Sequence, residues 1–171
     1  MDEIDQLIAR LVRAAERVVD PYFNLPIAGA QPVLRERVYA YELFHRLRSQ
    51  RDEIRSPFLF SAEIDKRGHP QIDDLSIPDL VFHVPGAMRN GALIEIKRTD
   101  STDLSRDLAK FDRYLVEFDY AYGVWLVFGE LEELEFVQKF QAPFARFAER
   151  GRLLWHRTSG ARPFVFRGDE L

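Results

Sequence analysis

Residues 77–98 constrain this chain more than any other stretch. They read Ile-Pro-Asp-Leu-Val-Phe-His-Val-Pro-Gly, a short polar turn, then Ala-Leu-Ile-Glu-Ile-Lys-Arg. Both apolar runs have strand character, and ionisable residues sit inside them. Alternation along a strand puts Glu95 and Lys97 on one face, and puts Asp79 on a side with Val81 and His83. If the runs pair as a hairpin, two carboxylates and an ammonium converge beside a short apolar core. Desolvated and unpaired, such charges cost several kcal/mol each. A hard divalent cation with oxygen ligands resolves that cost. A neighbouring lysine can then orient or deprotonate a water, or stabilise charge building on a phosphate. The competing reading is an edge hairpin with a wet polar face, whose Glu–Lys pair contributes almost nothing.

The length of 171 residues fits one domain with a real core, and 46% hydrophobic content with 14 Phe fits a packed globule. There are no cysteines, which excludes disulfides and thiolate metal sites. No signal peptide or membrane-length apolar run stands out, so a cytoplasmic protein with no membrane partner is expected. A net charge of −4 argues against a uniformly basic nucleic-acid coat but leaves room for a local basic patch. Only Lys66, Lys97, Lys110 and Lys139 among the 24 cations are lysines. Lysine inside Glu-Ile-Lys therefore suggests a need for a compact ammonium, and Lys97→Arg should not behave as a conservative change.

In chain order, residues 3–19 predict a helix with Ile4, Leu7, Ile8, Leu11, Ala15 and Val18 at helical spacing, stopped by Asp20-Pro21. That helix packs on the core or on a second copy. The Pro-rich stretch 21–32 reads as a loop, a flap or a linker. Residues 33–50 predict a second helix with Val33, Ala40, Leu43, Phe44 and Leu47 inward. Glu36 shares that face and is expected at the edge of the core. Glu42 is expected in solvent, and the bland reading of either is a surface glutamate paired with an arginine. A strand is predicted over 58–65, with Phe58, Phe60, Ala62 and Ile64 on one face and Glu63 on the other. Glu63 is a further carboxylate near the Asp79 strand, or a solvent-facing one. Thr99 to Asp103 suit helix capping, and Leu104, Leu108, Phe111, Leu115 and Phe118 mark the clearest helix. Lys110 lies beside that stripe. Tyr122 to Phe128 is continuous apolar sequence, as a buried strand requires, and the crossover makes it parallel to the Glu95 strand. A helix over 130–149 kinked at Pro143 and short strands at 153–157 and 163–167 complete the chain. Six arginines between Arg146 and Arg167, near Trp155 and His156, form either a phosphate-binding surface or a scatter of surface charge.

The order helix, strand, strand, strand, helix, strand, with Pro78-Asp79 and Glu95-Ile96-Lys97 in it, resembles the PD-(D/E)xK nuclease superfamily over residues 33–128. The Glu36-Arg37 pair and Glu63-Ile64-Asp65-Lys66 resemble an uncharacterised branch of that superfamily. The resemblance implies a single α/β domain over 1–171 with a restriction-endonuclease-like αβββαβ core and a mixed central sheet flanked by helices. It implies that Asp79 and Glu95, with the Ile96 carbonyl, bind one or two Mg2+ (or Mn2+) ions. Lys97 would position or activate water, Glu36 would complete the catalytic set, and Glu42 or Glu63 are the alternatives to it. Lys110 would stand near the site. His83 either lines the site or is a satisfied, partly buried histidine. The implied activity is metal-dependent hydrolysis of phosphodiester bonds in nucleic acid, DNA foremost, by a homodimer or with a partner protein. The alternatives are a non-catalytic module of the same fold that binds nucleic acid or protein, and an unrelated small α/β domain.

Overall fold

A computed structural model describes residues 3–50, 57–63, 77–87 and 89–167. It is a mixed α/β architecture built on a six-stranded sheet. Helix α1 spans Glu3–Ala15, and a small hairpin of β1 (Leu25–Ile27) and β2 (Ala30–Val33) follows. Next come α2 (Glu36–Ser49), β3 (Leu59–Ala62), β4 (Leu80–Val84), β5 (Arg89–Arg98), α3 (Ser105–Val116) and β6 (Tyr122–Phe128). A broken helical segment over 133–150 leads to β7 (Gly151–His156) and β8 (Phe164–Arg167). The strands lie side by side in chain order, β3 to β8. The β3–β4, β4–β5 and β7–β8 pairs are antiparallel, while β5–β6 and β6–β7 are parallel.

Alternation on β5 separates two cores. Ala92, Ile94 and Ile96 face a layer made by α1 and α2, with Ile4, Leu7, Leu11, Tyr39, Leu43 and Leu47. Leu93 faces the other layer, with Phe111, Tyr114 and Leu115 of α3 and Phe136, Phe140 and Phe144 of the broken helix. With both faces covered, β6 is buried from Gly123 to Phe128, which is why its sequence is apolar without interruption. Helix α1 packs on the core of its own chain.

Several expectations need correction. Residues 25–33 are not plain loop: they form the β1–β2 hairpin, turned at Gly29 with φ 73°. Val33 belongs to β2, and α2 starts at Glu36. Its buried stripe is centred on Tyr39, Leu43 and Leu47. Glu42 is buried rather than solvated, because the stripe is rotated toward it and Arg46 lies 2.6 Å from its Oε1. The 130–149 helix starts at Glu133 and runs through a π-helical stretch (Val137–Gln141) and a 3-10 stretch (Ala145–Arg150) on either side of Ala142–Phe144. Pro143 has no N–H to give to a regular α-helical ladder, and the change of winding brackets it. Strand β3 ends at Ala62, and Glu63 leaves it with φ 42°. The expected strand end at Ile64 and Asp65, and Lys66 beyond it, lie outside the described residues.

The arginines of 146–167 divide: Arg152, Arg162 and Arg167 line one cleft with Asp5, Arg157 lies over the Trp155 ring, and Arg146 and Arg150 turn back onto the fold. The Trp155 and His156 rings are both buried. Arg150 donates to the carbonyls of Leu115, Tyr120 and Ala121, and Arg146 pairs with Asp112, so these guanidiniums tie segments of the fold together. Among the described residues no helix is long and apolar enough to cross a membrane.

Candidate active site

The β4–β5 ladder runs out at the pair Leu80↔Ile94. One residue further, the Asp79 side chain replaces the missing strand: its Oδ2 accepts the Ile96 N–H at 2.7 Å. In an antiparallel pair, the N–H and C=O of one residue face the same neighbour. The Ile96 carbonyl therefore points to the side that Asp79 occupies. Glu95 and Lys97 flank Ile96 and turn to the α3 layer, as strand alternation requires.

Helix α3 answers each of them. Lys110 Nζ donates to Glu95 Oε2 at 2.7 Å and stands 3.4 Å from the Ile77 carbonyl. Asp107 Oδ2 lies 2.9 Å from Lys97 Nζ. Glu36, at the first turn of α2, reaches round the end of β5, with Oε2 3.7 Å from the same ammonium. Its Oε1 accepts from the Arg98 N–H and the Ser101 hydroxyl. Arg98 pairs with Asp100 at 3.2 Å. Asp79, Glu95, Lys97, Glu36, Asp107 and Lys110 thus meet at the junction of β4, β5, α2 and α3, with the Arg98–Asp100 pair beside them.

The electrostatics are those of a crowded anionic site. Glu95 is only 1% exposed, and among the described residues its Oε1 has no hydrogen-bond partner. Its carboxyl is pushed up to about 8, by burial first and then by the charge of Asp79, with Lys110 only partly offsetting both. Burial also raises Asp79, against the opposing pull of the Ile96 N–H and the two ammoniums. For Lys97, burial disfavours the charge, yet the Asp107 hydrogen bond and the carboxylates around it win, and its pKa rises. Lys97 is therefore held as an ammonium and is poorly suited to act as a base.

The predicted residues divide clearly. Asp79, Glu95, Lys97, Glu36 and Lys110 come together. Glu63 does not join their hydrogen bonds. It is exposed, pairs with Arg37 at 3.5 Å, and lines with Glu36, Tyr41 and Asp79 a cleft of about 150 Å3 that opens beside the site. His83 lies four residues along the chain from Asp79, roughly 13 Å at strand rise, and its Nε2 is 3.0 Å from Ser61 Oγ. Glu42 is committed to Arg46.

Asp107 is the member that sequence reasoning missed. Its signal was present: it is three residues after Leu104, four before Phe111 and three before Lys110, so it sits on the inward stripe of α3. A carboxylate there needs a buried cation, and Lys97 supplies it.

Among the described residues no three His, Asp or Glu side chains form a ready metal cage. The site nevertheless fits a cation held by two carboxylates and a carbonyl. One oxygen of each carboxylate is already engaged, and the buried Glu95 Oε1 is left over. Compared with protein-family models, with curated proteins and with solved structures, the chain matches none.

Proposed function

We propose that this protein is a metal-dependent nuclease that hydrolyses phosphodiester bonds in nucleic acid, DNA foremost, through a PD-(D/E)xK-type site. The observation that carries the reading is the buried Glu95 carboxylate, with one oxygen unpartnered, beside Asp79 and flanked in sequence by Lys97. An acid so placed opposes folding unless something offsets its charge. Further support comes from the order α2, β3, β4, β5, α3, β6, with β6 parallel to β5, which agrees with the restriction-endonuclease-like core that the sequence resembles.

Asp79, Glu95 and the Ile96 carbonyl would hold Mg2+ or Mn2+. The bound ion supplies Lewis-acid stabilisation of phosphate charge and a water of lowered pKa. The chain's own residues do the rest. Lys97, kept protonated by Asp107 and Glu36, donates hydrogen bonds to the attacking water or to a phosphate oxygen as charge builds there. Glu36 fixes that ammonium from the α2 side and holds the backbone at Arg98. Lys110 keeps the second oxygen of Glu95 occupied, so the carboxylate is fixed in orientation. The cleft between Glu36, Glu63 and Asp79 is the approach by which a phosphodiester strand reaches the group.

The test is cleavage of plasmid, linear duplex, single-stranded DNA and RNA by wild type and Lys97→Ala, with Mg2+ or Mn2+. Cleavage that chelation and Lys97→Ala both abolish is the expected result. Equal cleavage by both proteins would refute the mechanism, and no cleavage of any substrate would favour a binding module.

A further inference from the structure

We infer that Lys110 occupies the place of a second metal ion, so that this site takes a single divalent cation. The inference rests on the metal-dependent reading above and specifies it.

Two-metal sites need carboxylate oxygens shared between ions about 3.5–4 Å apart. Here the shareable oxygens are taken from within the chain. Glu95 Oε2 accepts from the Lys110 ammonium at 2.7 Å. Asp79 Oδ2 accepts from the Ile96 N–H at 2.7 Å. Lys110 is anchored on its other side by the Ile77 carbonyl at 3.4 Å, and its side chain is only 16% exposed. A second ion at Glu95 would have to expel this ammonium and leave it without its charged partner, which is costly where solvent is scarce. What remains for an incoming cation is the unpartnered Glu95 Oε1, which is buried, and the outer side of Asp79.

The charge count agrees. Once a bound cation displaces the Glu95 proton, Glu36, Asp79, Glu95 and Asp107 bring four negative charges, and Lys97 and Lys110 bring two positive ones. Arg98 and Asp100 pair off with each other. Two negative charges are left, which one divalent ion neutralises. A second would leave the site with a net positive charge inside a partly desolvated pocket.

The test counts ions without nucleic acid. Mn2+ is titrated into full-length wild type, Lys110→Met and Lys110→Arg, with bound metal read by electron paramagnetic resonance. Glu95→Gln serves as the blank for surface binding. Wild type should bind one isolated Mn2+ per chain above the blank, and Lys110→Arg should also bind one. Lys110→Met, which keeps the apolar stem and removes the charge, should bind two, with a spectrum broadened by coupling between neighbouring ions. Two ions in wild type, or a folded Lys110→Met that still binds one, would overturn the inference and leave a metal-dependent nuclease intact. If Lys110→Met does not fold, two ions in wild type would still overturn the inference. No ion in wild type above the blank would remove both the inference and the reading beneath it. One bound ion without cleavage of any substrate would uphold the inference and remove only hydrolysis.

Discussion

Replacing Glu95 by glutamine should stabilise this protein while destroying its proposed activity. The Glu95 carboxyl is almost wholly buried and is pushed up to about 8 from an ordinary 4.5, by burial first and by Asp79 second. Below pH 4.5 the group is protonated in both folded and unfolded chains and contributes nothing to the pH dependence. Between 4.5 and about 8 the unfolded chain has released the proton and the folded one still holds it, so stability falls as pH rises. Above 8 the full cost is present, about 5 kcal/mol at 1.36 kcal/mol per pH unit. Glutamine has nearly the same shape and carries no charge. The advantage of Glu95→Gln over wild type should therefore grow from almost nothing at pH 4.5 to ~2 kcal/mol at pH 6 and ~5 kcal/mol at pH 9. Urea unfolding followed by circular dichroism, in chelator, at five pH values between 4.5 and 9 measures it. A variant no more stable than wild type at pH 9, or a difference independent of pH, would refute the reasoning. Adding Mg2+ should stabilise wild type by mass action and leave the variant unmoved.

Three further outcomes follow from the same contacts. Lys97→Arg should lose roughly 100-fold or more in cleavage rate, because a planar guanidinium cannot replace a compact ammonium between Asp107 and Glu36; single-turnover cleavage against wild type checks this. Asp107→Asn should lower kcat by about 10- to 100-fold with little change in KM, since the residue orients Lys97 and does not touch substrate. Tyr39→Phe should destabilise by ~1–3 kcal/mol, because it removes the buried hydrogen bond between the Tyr39 hydroxyl and His156 Nδ1, 2.8 Å apart in the core; a lower urea midpoint at unchanged slope is the expected signature.

Much of this fold was legible in local pattern. The hairpin of β4 and β5, the amphipathic α3 and the all-apolar β6 each follow from periodicity, because a strand or helix must repeat its apolar side chains at its own period to be covered. The β1–β2 hairpin was missed because three prolines and a glycine read as loop, although β2 carries Pro32 within a two-stranded sheet that has an open edge. The rotation of α2 was also missed. Tyr39 is absent from the expected inward stripe of Val33, Ala40, Leu43, Phe44 and Leu47, and it is the buried His156 on β7, far away in sequence, that gives its hydroxyl a partner.

The sequence by itself determined which side chains share a face. Glu95 and Lys97 turn to one side of β5, and Asp79 shares a side with Val81 and His83, because side chains alternate along a strand. Only the tertiary structure decided what meets that face. Asp107 and Lys110 reach the strand because α3 packs over it, and Glu36 arrives from the opposite layer round the end of β5. Burial decided the rest: a glutamate on a wet hairpin would be an ordinary acid, whereas the same residue sealed beneath α3 beside Asp79 holds its proton up to about pH 8. Strand period is a local property of the chain, but desolvation and charge pairing depend on elements brought together from distant parts of it.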